Sequence, residues 1–213
     1  MLSNNEGFGK KIYLKIMGLK EWKPHFERKF GDEIQTFTQV EGDFKEITFK
    51  DITWSDNGKE KVRRVFDLTL FDGDEEYHIG SWFTQVGRSL LNTLISKDKH
   101  WRLLLSLYQS KTGYPSISVY TKDKGTMDQP LRWKLSTDEQ KALTKEVTVN
   151  GDTVYDRAEL DALLEKEAML LTSINLDLWD DFDFTNWKSM DKELAKPAPT
   201  LKKELLEDED LPF

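Results

Sequence analysis

Cysteine is absent from the 213 residues. That excludes disulfides, thiolate metal sites and a cysteine nucleophile, and it agrees with a reducing compartment. Long apolar runs are missing too: nowhere do about 18 apolar residues follow one another, so no segment predicts a membrane span. The opening stretch MLSNNEGFGKKIYLKIMG lacks the apolar core of a secretory leader. The expectation is a cytoplasmic protein. Histidine is scarce: His25, His78 and His100 show no ligand spacing, and H-E-x-x-H, a Walker loop and G-x-S-x-G are all lacking. Asp72, Asp74, Glu75 and Glu76 resemble a magnesium cluster only loosely and read as a solvated hairpin turn. A non-enzyme without metal or cofactor is therefore expected.

Apolar residues are also few, at 38%, while charged residues reach 33%. Such a chain can build a core from part of its length. The net charge of −8 is unevenly spread. Residues 156–213 hold 16 Asp/Glu against 7 Lys/Arg, whereas residues 1–155 hold 23 against 24. A near-neutral body thus carries an acidic C-terminal arm, an asymmetry associated with nucleic-acid handling or an interaction tail.

What is present is short-strand alternation. IQTFTQV (34–40) and FKEITFKDITW (44–54) alternate at period two, and together predict a long first strand over 34–54, broken near Glu41-Gly42. Asn57-Gly58 marks a tight hairpin. KVRRVFDLTLF (61–71) and EEYHIGSWF (75–83) follow as strands, with Phe66, Leu68 and Leu70 inward. The period then changes, and Val86, Leu90, Leu91, Leu94 and Ile95 form one helical stripe over 84–96. WRLLLSLYQ (101–109), with Trp101, Leu103, Leu105 and Leu107 inward, and SISVYTK (116–122) return to strand. Three strands, one helix and two strands is the chain order of the OB-fold, a five-stranded partly open Greek-key barrel. The expected division is an N-terminal extension (1–33), a mainly β OB-fold core (34–126) and a hairpin/helix extension (127–176). A flexible acidic tail (177–213) follows. Asn150-Gly151 marks the hairpin, and Asp156 with Glu159 a helix start.

A sequence-tolerant single-strand binder needs cations for the backbone and flat faces for bases. Lys59, Lys61, Arg63 and Arg64 cluster at the first hairpin, and Lys111, Tyr114 and Lys122 lie at or near the turn joining the last two strands. In an OB-fold these loops border the groove. Strand parity turns Phe71, Arg102, Tyr108 and Tyr120 outward beside Arg63 and Lys122. Trp54, Tyr77 and Trp82 at strand ends complete the candidate DNA-binding set.

The chain closes on E-D-E-D-L-P-F (207–213). Acids would be drawn to a basic surface, Phe213 would fill an apolar pocket while its carboxylate meets a cation, and Pro212 limits the entropy lost on docking. This ending resembles the acidic tip of bacterial single-stranded DNA-binding proteins, with Leu211 in the place of isoleucine. The elaborated body resembles the replicative single-stranded DNA-binding proteins of tailed phages. The resemblance implies sequence-nonspecific coating of single-stranded DNA in replication, recombination and repair, in a bacterial host. Asp208, Glu209, Asp210, Leu211, Pro212 and Phe213 would recruit polymerase, helicase or primase, and the tip would compete with DNA for the groove. A monomer or weak homo-oligomer is expected. The alternative reading is an acidic, DNA-mimicking adaptor for a basic DNA-processing partner; an OB-fold RNA binder and a metal-dependent nuclease stand behind it.

Overall fold

The computed structural model describes residues 10–18, 23–123, 126–149 and 152–180, all within a compact unit spanning Met1–Asp181. Alternating burial builds the strands. In β1 (Lys10–Met17), Ile12 and Leu14 are buried between exposed Lys11, Tyr13 and Lys15. β2 (His25–Phe30) buries Phe26, and β3 (Glu33–Phe37) follows it as a hairpin. β4 (Gln39–Asp56) and β5 (Lys59–Asp72) are the longest strands. The turn between them holds Asn57 at φ 52° and Gly58 at φ 75°, the left-handed pair that the Asn-Gly dipeptide favours. β6 (Glu75–Trp82), β7 (Arg102–Gln109), β8 (Pro115–Asp123) and β9 (Thr126–Pro130) complete one nine-stranded sheet.

The sheet order is β3-β2-β1-β6-β5-β4-β7-β8-β9, curled and open. Within it, β7-β4-β5-β6 is the fourth-first-second-third arrangement of a Greek key. Helix α1 (Gln85–Leu94) lies in the connection between β6 and β7. Thr84 caps it by accepting from the Gly87 N–H at 3.2 Å.

Several expectations change here. Within the expected N-terminal extension, β1 lies parallel against β6, pairing Ile12 with Tyr77 and Leu14 with Ile79, and Phe26 joins the core. The expected 34–54 strand breaks at Thr38 rather than at Glu41-Gly42. Gly42 stays in strand, and its missing side chain permits a close approach, since a Cβ there would come within 2.8 Å of the Phe71 carbonyl oxygen. Near that close approach β4 passes from pairing with β7 to pairing with β5. Trp101, expected inward, is 44% exposed because β7 begins one residue after it.

The C-terminal part of the unit contributes α2 (Thr137–Ala142), the hairpin β10 (Lys145–Val149) and β11 (Asp152–Asp156), and α3 (Ala158–Asp180). Residues 177–180, assigned above to the tail, are the last turn of α3. The apolar face of the sheet closes over α1 and α3, whose Leu160, Leu164, Ala168 and Leu171 join the same core. Three side chains dock these pieces by engaging both the N–H and C=O of one residue, as a strand would. Thr172 Oγ1 accepts from Ile47 N (2.9 Å) and donates to Ile47 O (3.3 Å). Asn175 does the same with His100 at 3.2 and 2.6 Å, and Asn92 with Leu135 at 2.8 and 2.9 Å. Buried backbone groups left without such partners would cost ~1–3 kcal/mol each. No helix among the described residues is long and apolar enough to cross a membrane.

Candidate nucleic-acid interface

Directly opposed residues of antiparallel strands share a face, so register sorts the β4–β5 ribbon into two surfaces. One carries Lys50, Ile52, Trp54 and Asp56 opposite Val65, Arg63, Lys61 and Lys59: four cations against one carboxylate. The other carries Asp51, Thr53 and Ser55 opposite Arg64, Val62 and Glu60: one cation against two carboxylates. The cation-rich face also holds the exposed tryptophans Trp54 and Trp82. Trp82 stands opposite Val65 across the β5–β6 pairing, which brings it beside Arg63. The Arg63 guanidinium lies 4.3 Å from the Trp82 ring centroid and 5.4 Å from that of Trp54. Trp82 is 50% exposed, and no carboxylate pairs with Arg63 among the described residues. Lys59 is exposed at the turn, and Lys61 pairs with Asp56 on the same face.

Other candidates are engaged elsewhere. Arg64 points from the opposite face and binds Glu165 of α3 through two contacts, at 2.5 and 3.3 Å, with Asp51 at 3.3 Å. Its hydrogen bond to Glu165 holds its pKa above the ordinary arginine value. Arg102 is clamped by Glu41 (2.7 Å), Asp43 (3.3 Å) and Asp72 (2.7 Å). Burial works against its charge, but hydrogen bonds to Glu41 and Asp72 outweigh it and raise its pKa. Surrounded by three carboxylates, Arg102 is no cation for a phosphate. The same pair accounts for Asp72, read above as turn chemistry.

Tyr77 has the inward parity of Ile79, is half-buried against the core, and donates its hydroxyl to Glu75 at 2.6 Å. Burial first, then that bond to Glu75, push its pKa up to about 12. It is no open stacking face. Phe71 has outward parity but lies half-buried, with Lys45 Nζ 5.0 Å from its ring centroid. Tyr108 and Tyr120 are outward and half-buried on β7 and β8, and the backbone of Lys122 pairs with Arg102.

Lys111 and the 44% exposed Tyr114 sit in the β7–β8 turn, where Ser110 N donates to Tyr114 O at 2.8 Å. The Leu107 N–H donates to Thr38 O, placing that turn near the start of β4, whereas Lys59 and Lys61 lie at its end. The two turns expected to wall one groove are therefore separated along the full length of β4. Structure thus gathers Trp54, Lys59, Lys61, Arg63 and Trp82, and leaves the other expected residues outside that group. Asp208–Phe213, the expected partner tip, lies outside the described residues.

Sequence reasoning missed the surface beside the ribbon. A cleft of about 650 Å³ opens between β5, the start of α1 and the first turns of α3. Val62, Arg63, Arg64, Trp82, Phe83 and Arg88 line one side. Ala158, Asp161, Ala162 and Glu165 line the other, and Asp161 holds Arg88 through bonds of 2.6 and 2.8 Å. The i, i+4 spacing of Ala158 with Ala162 and of Asp161 with Glu165 was readable, but nothing local named the surface those residues would face.

No family model, curated protein or solved structure matches this chain.

Proposed function

We propose that this protein binds single-stranded DNA without sequence preference, using the Trp54–Arg63–Trp82 array on the cation-rich face of the β4–β5 ribbon. That array is the observation that carries the reading. An exposed cation–π contact is worth ~0.5–1 kcal/mol, whereas a base stacked on an aromatic ring contributes ~1–3 kcal/mol. Arg63 can therefore leave a ring for a backbone phosphate at small cost, and a base can take its place. Lys59 and Lys61 flank the path at the ribbon turn. The Greek-key order with α1 in the long connection supports an OB-type barrel, opened at β6 by the added parallel strand β1. The acidic arm and its E-D-E-D-L-P-F end support recruitment of replication or recombination proteins.

Anisotropy titrations with labelled oligo-dT, the matching duplex and oligo-U test the reading. Binding of oligo-dT well ahead of duplex at low salt is expected. Equal or weaker binding of oligo-dT, also after removal of the acidic arm, overturns it, and capture of a basic DNA-processing protein in that case would identify the adaptor. A clear preference for oligo-U would make the target RNA.

A further inference from the structure

We infer that the cleft beside the ribbon is a subsite for a single nucleotide of the bound strand, its base against Trp82 and Phe83 and its phosphate on Arg63. The inference rests on the ribbon reading, since Arg63 and Trp82 belong to both surfaces. Its volume of about 650 Å³ falls within the range of pockets that enclose small organic ligands.

Charge sets how much ligand the cleft takes. Arg63, Arg64 and Arg88 line it against Asp161 and Glu165. Glu165 and Asp161 already hold Arg64 and Arg88 in paired hydrogen bonds, a geometry in which guanidinium and carboxylate satisfy each other. Arg63 is the surplus cation. One phosphodiester carries one negative charge, so one phosphate balances the site, and a second would face both carboxylates at close range.

Shape agrees with charge. Ala158 and Ala162 lie one turn apart on α3, and their methyl groups leave open the volume that longer side chains would fill. Trp82 and Phe83 give the other wall its apolar surface, the Phe83 ring backed by Phe49 and Phe66. Thr84 spends its oxygen on the Gly87 N–H and keeps a hydroxyl proton to donate at the rim. Base and phosphate are thus both needed for a fit, and neither alone fills the site.

The test titrates the methyl phosphodiester of thymidine 5′-monophosphate into the full chain while indole N–H resonances are followed by NMR, with thymidine and dimethyl phosphate as comparators. Saturable shifts of the Trp82 signal at about 1 mM ligand are expected, with each comparator weaker by about tenfold or more. Ala162→Phe fills the cleft from an exposed helix position and leaves the ribbon array in place. It should abolish the nucleotide shifts and weaken oligo-dT binding by that one nucleotide's share, without abolishing it.

Dimethyl phosphate binding as tightly as the nucleotide would overturn the inference, as would an unchanged nucleotide response in Ala162→Phe. Oligo-dT binding with no nucleotide response would remove the cleft and leave the ribbon reading standing. Failure of both ligands would remove the ribbon reading and the subsite with it.

Discussion

At the scale of single residues, side chains of one type have divided into different tasks according to which carboxylates their register brings near. Arg63 and Arg64 are adjacent in sequence, yet one stacks on two indoles and the other ties α3 to the sheet. Trp82→Ala should therefore weaken oligo-dT binding by ~1–3 kcal/mol, the worth of one stacked base, with an unchanged melting temperature because the ring is half exposed. Loss of stability without loss of binding would assign Trp82 to packing. Arg102→Ala should do the reverse, destabilising the fold by removing the guanidinium that Glu41, Asp43 and Asp72 share while leaving oligo-dT affinity in place.

Asp67 supplies a prediction about pH. It sits on β5 with its Oδ1 3.5 Å from His78 Nδ1 and only 16% of its side chain exposed. Burial, partly offset by His78, raises its pKa above the ordinary 3.8. A carboxyl whose pKa is raised on folding stabilises the protein below its unfolded value and loses that contribution as pH rises through the folded one. Asp67→Asn, which cannot ionise, should raise the melting midpoint at pH 7. The gain should vanish below the ordinary carboxylate pKa. Thermal melts of both proteins at pH 3.5 and pH 7 would check it, and an equal gain at both values would refute the pKa argument.

Among the elements, the junction of β6 with α1 does most to position the site. A Cβ on Gly87 would fall 2.0 Å from the Trp82 carbonyl oxygen, a distance no side chain tolerates, and a tight 3.0 Å from Ser81 Oγ. Gly87→Ala should push the helix start off the strand end, costing ~1–3 kcal/mol as overpacking does, and displace Trp82 in the process. Urea unfolding and oligo-dT titration of this variant should both deteriorate. A stable variant with reduced binding would show that the helix had moved without loss of core.

The strands around this junction, and α1 itself, were legible because alternation and the 3.6-residue stripe are local properties. Trp54, Arg63 and Trp82 were legible as candidates for the same reason. Their assembly was not, because it depends on pairing between β4, β5 and β6. β1 was harder still: a short alternating KKIYLKIM finds its parallel partner about 65 residues away, and no turn joins the two. α2 was a different case, since Ser136 and Glu139 form a capping box whose S-x-x-E spacing stood in the sequence. Two of the cations left outside the group, Arg64 and Arg102, are held by carboxylates brought close by long-range contacts, 101 and 61 residues distant.

For the molecule as a whole, the decisive quantity is the distribution of its −8 charge. Residues 1–155 are nearly neutral, so on the proposed reading the ribbon's cations attract a polyanion only locally, and tethered acids would compete with it at high effective concentration. Removing residues 207–213 deletes four of those acids and should tighten oligo-dT binding. The gain should be largest at low ionic strength, where the Debye length reaches ~30 Å at 0.01 M, and shrink towards ~8 Å screening at 0.15 M. Titrations of the intact and shortened chains at about 50 and 200 mM salt separate two contributions. A difference that fades with salt is electrostatic competition by the acids, whereas a salt-independent difference would mean that Leu211, Pro212 and Phe213 occupy an apolar site. Equal affinities at both concentrations would leave the tip no part in DNA binding and confine it to partner recruitment.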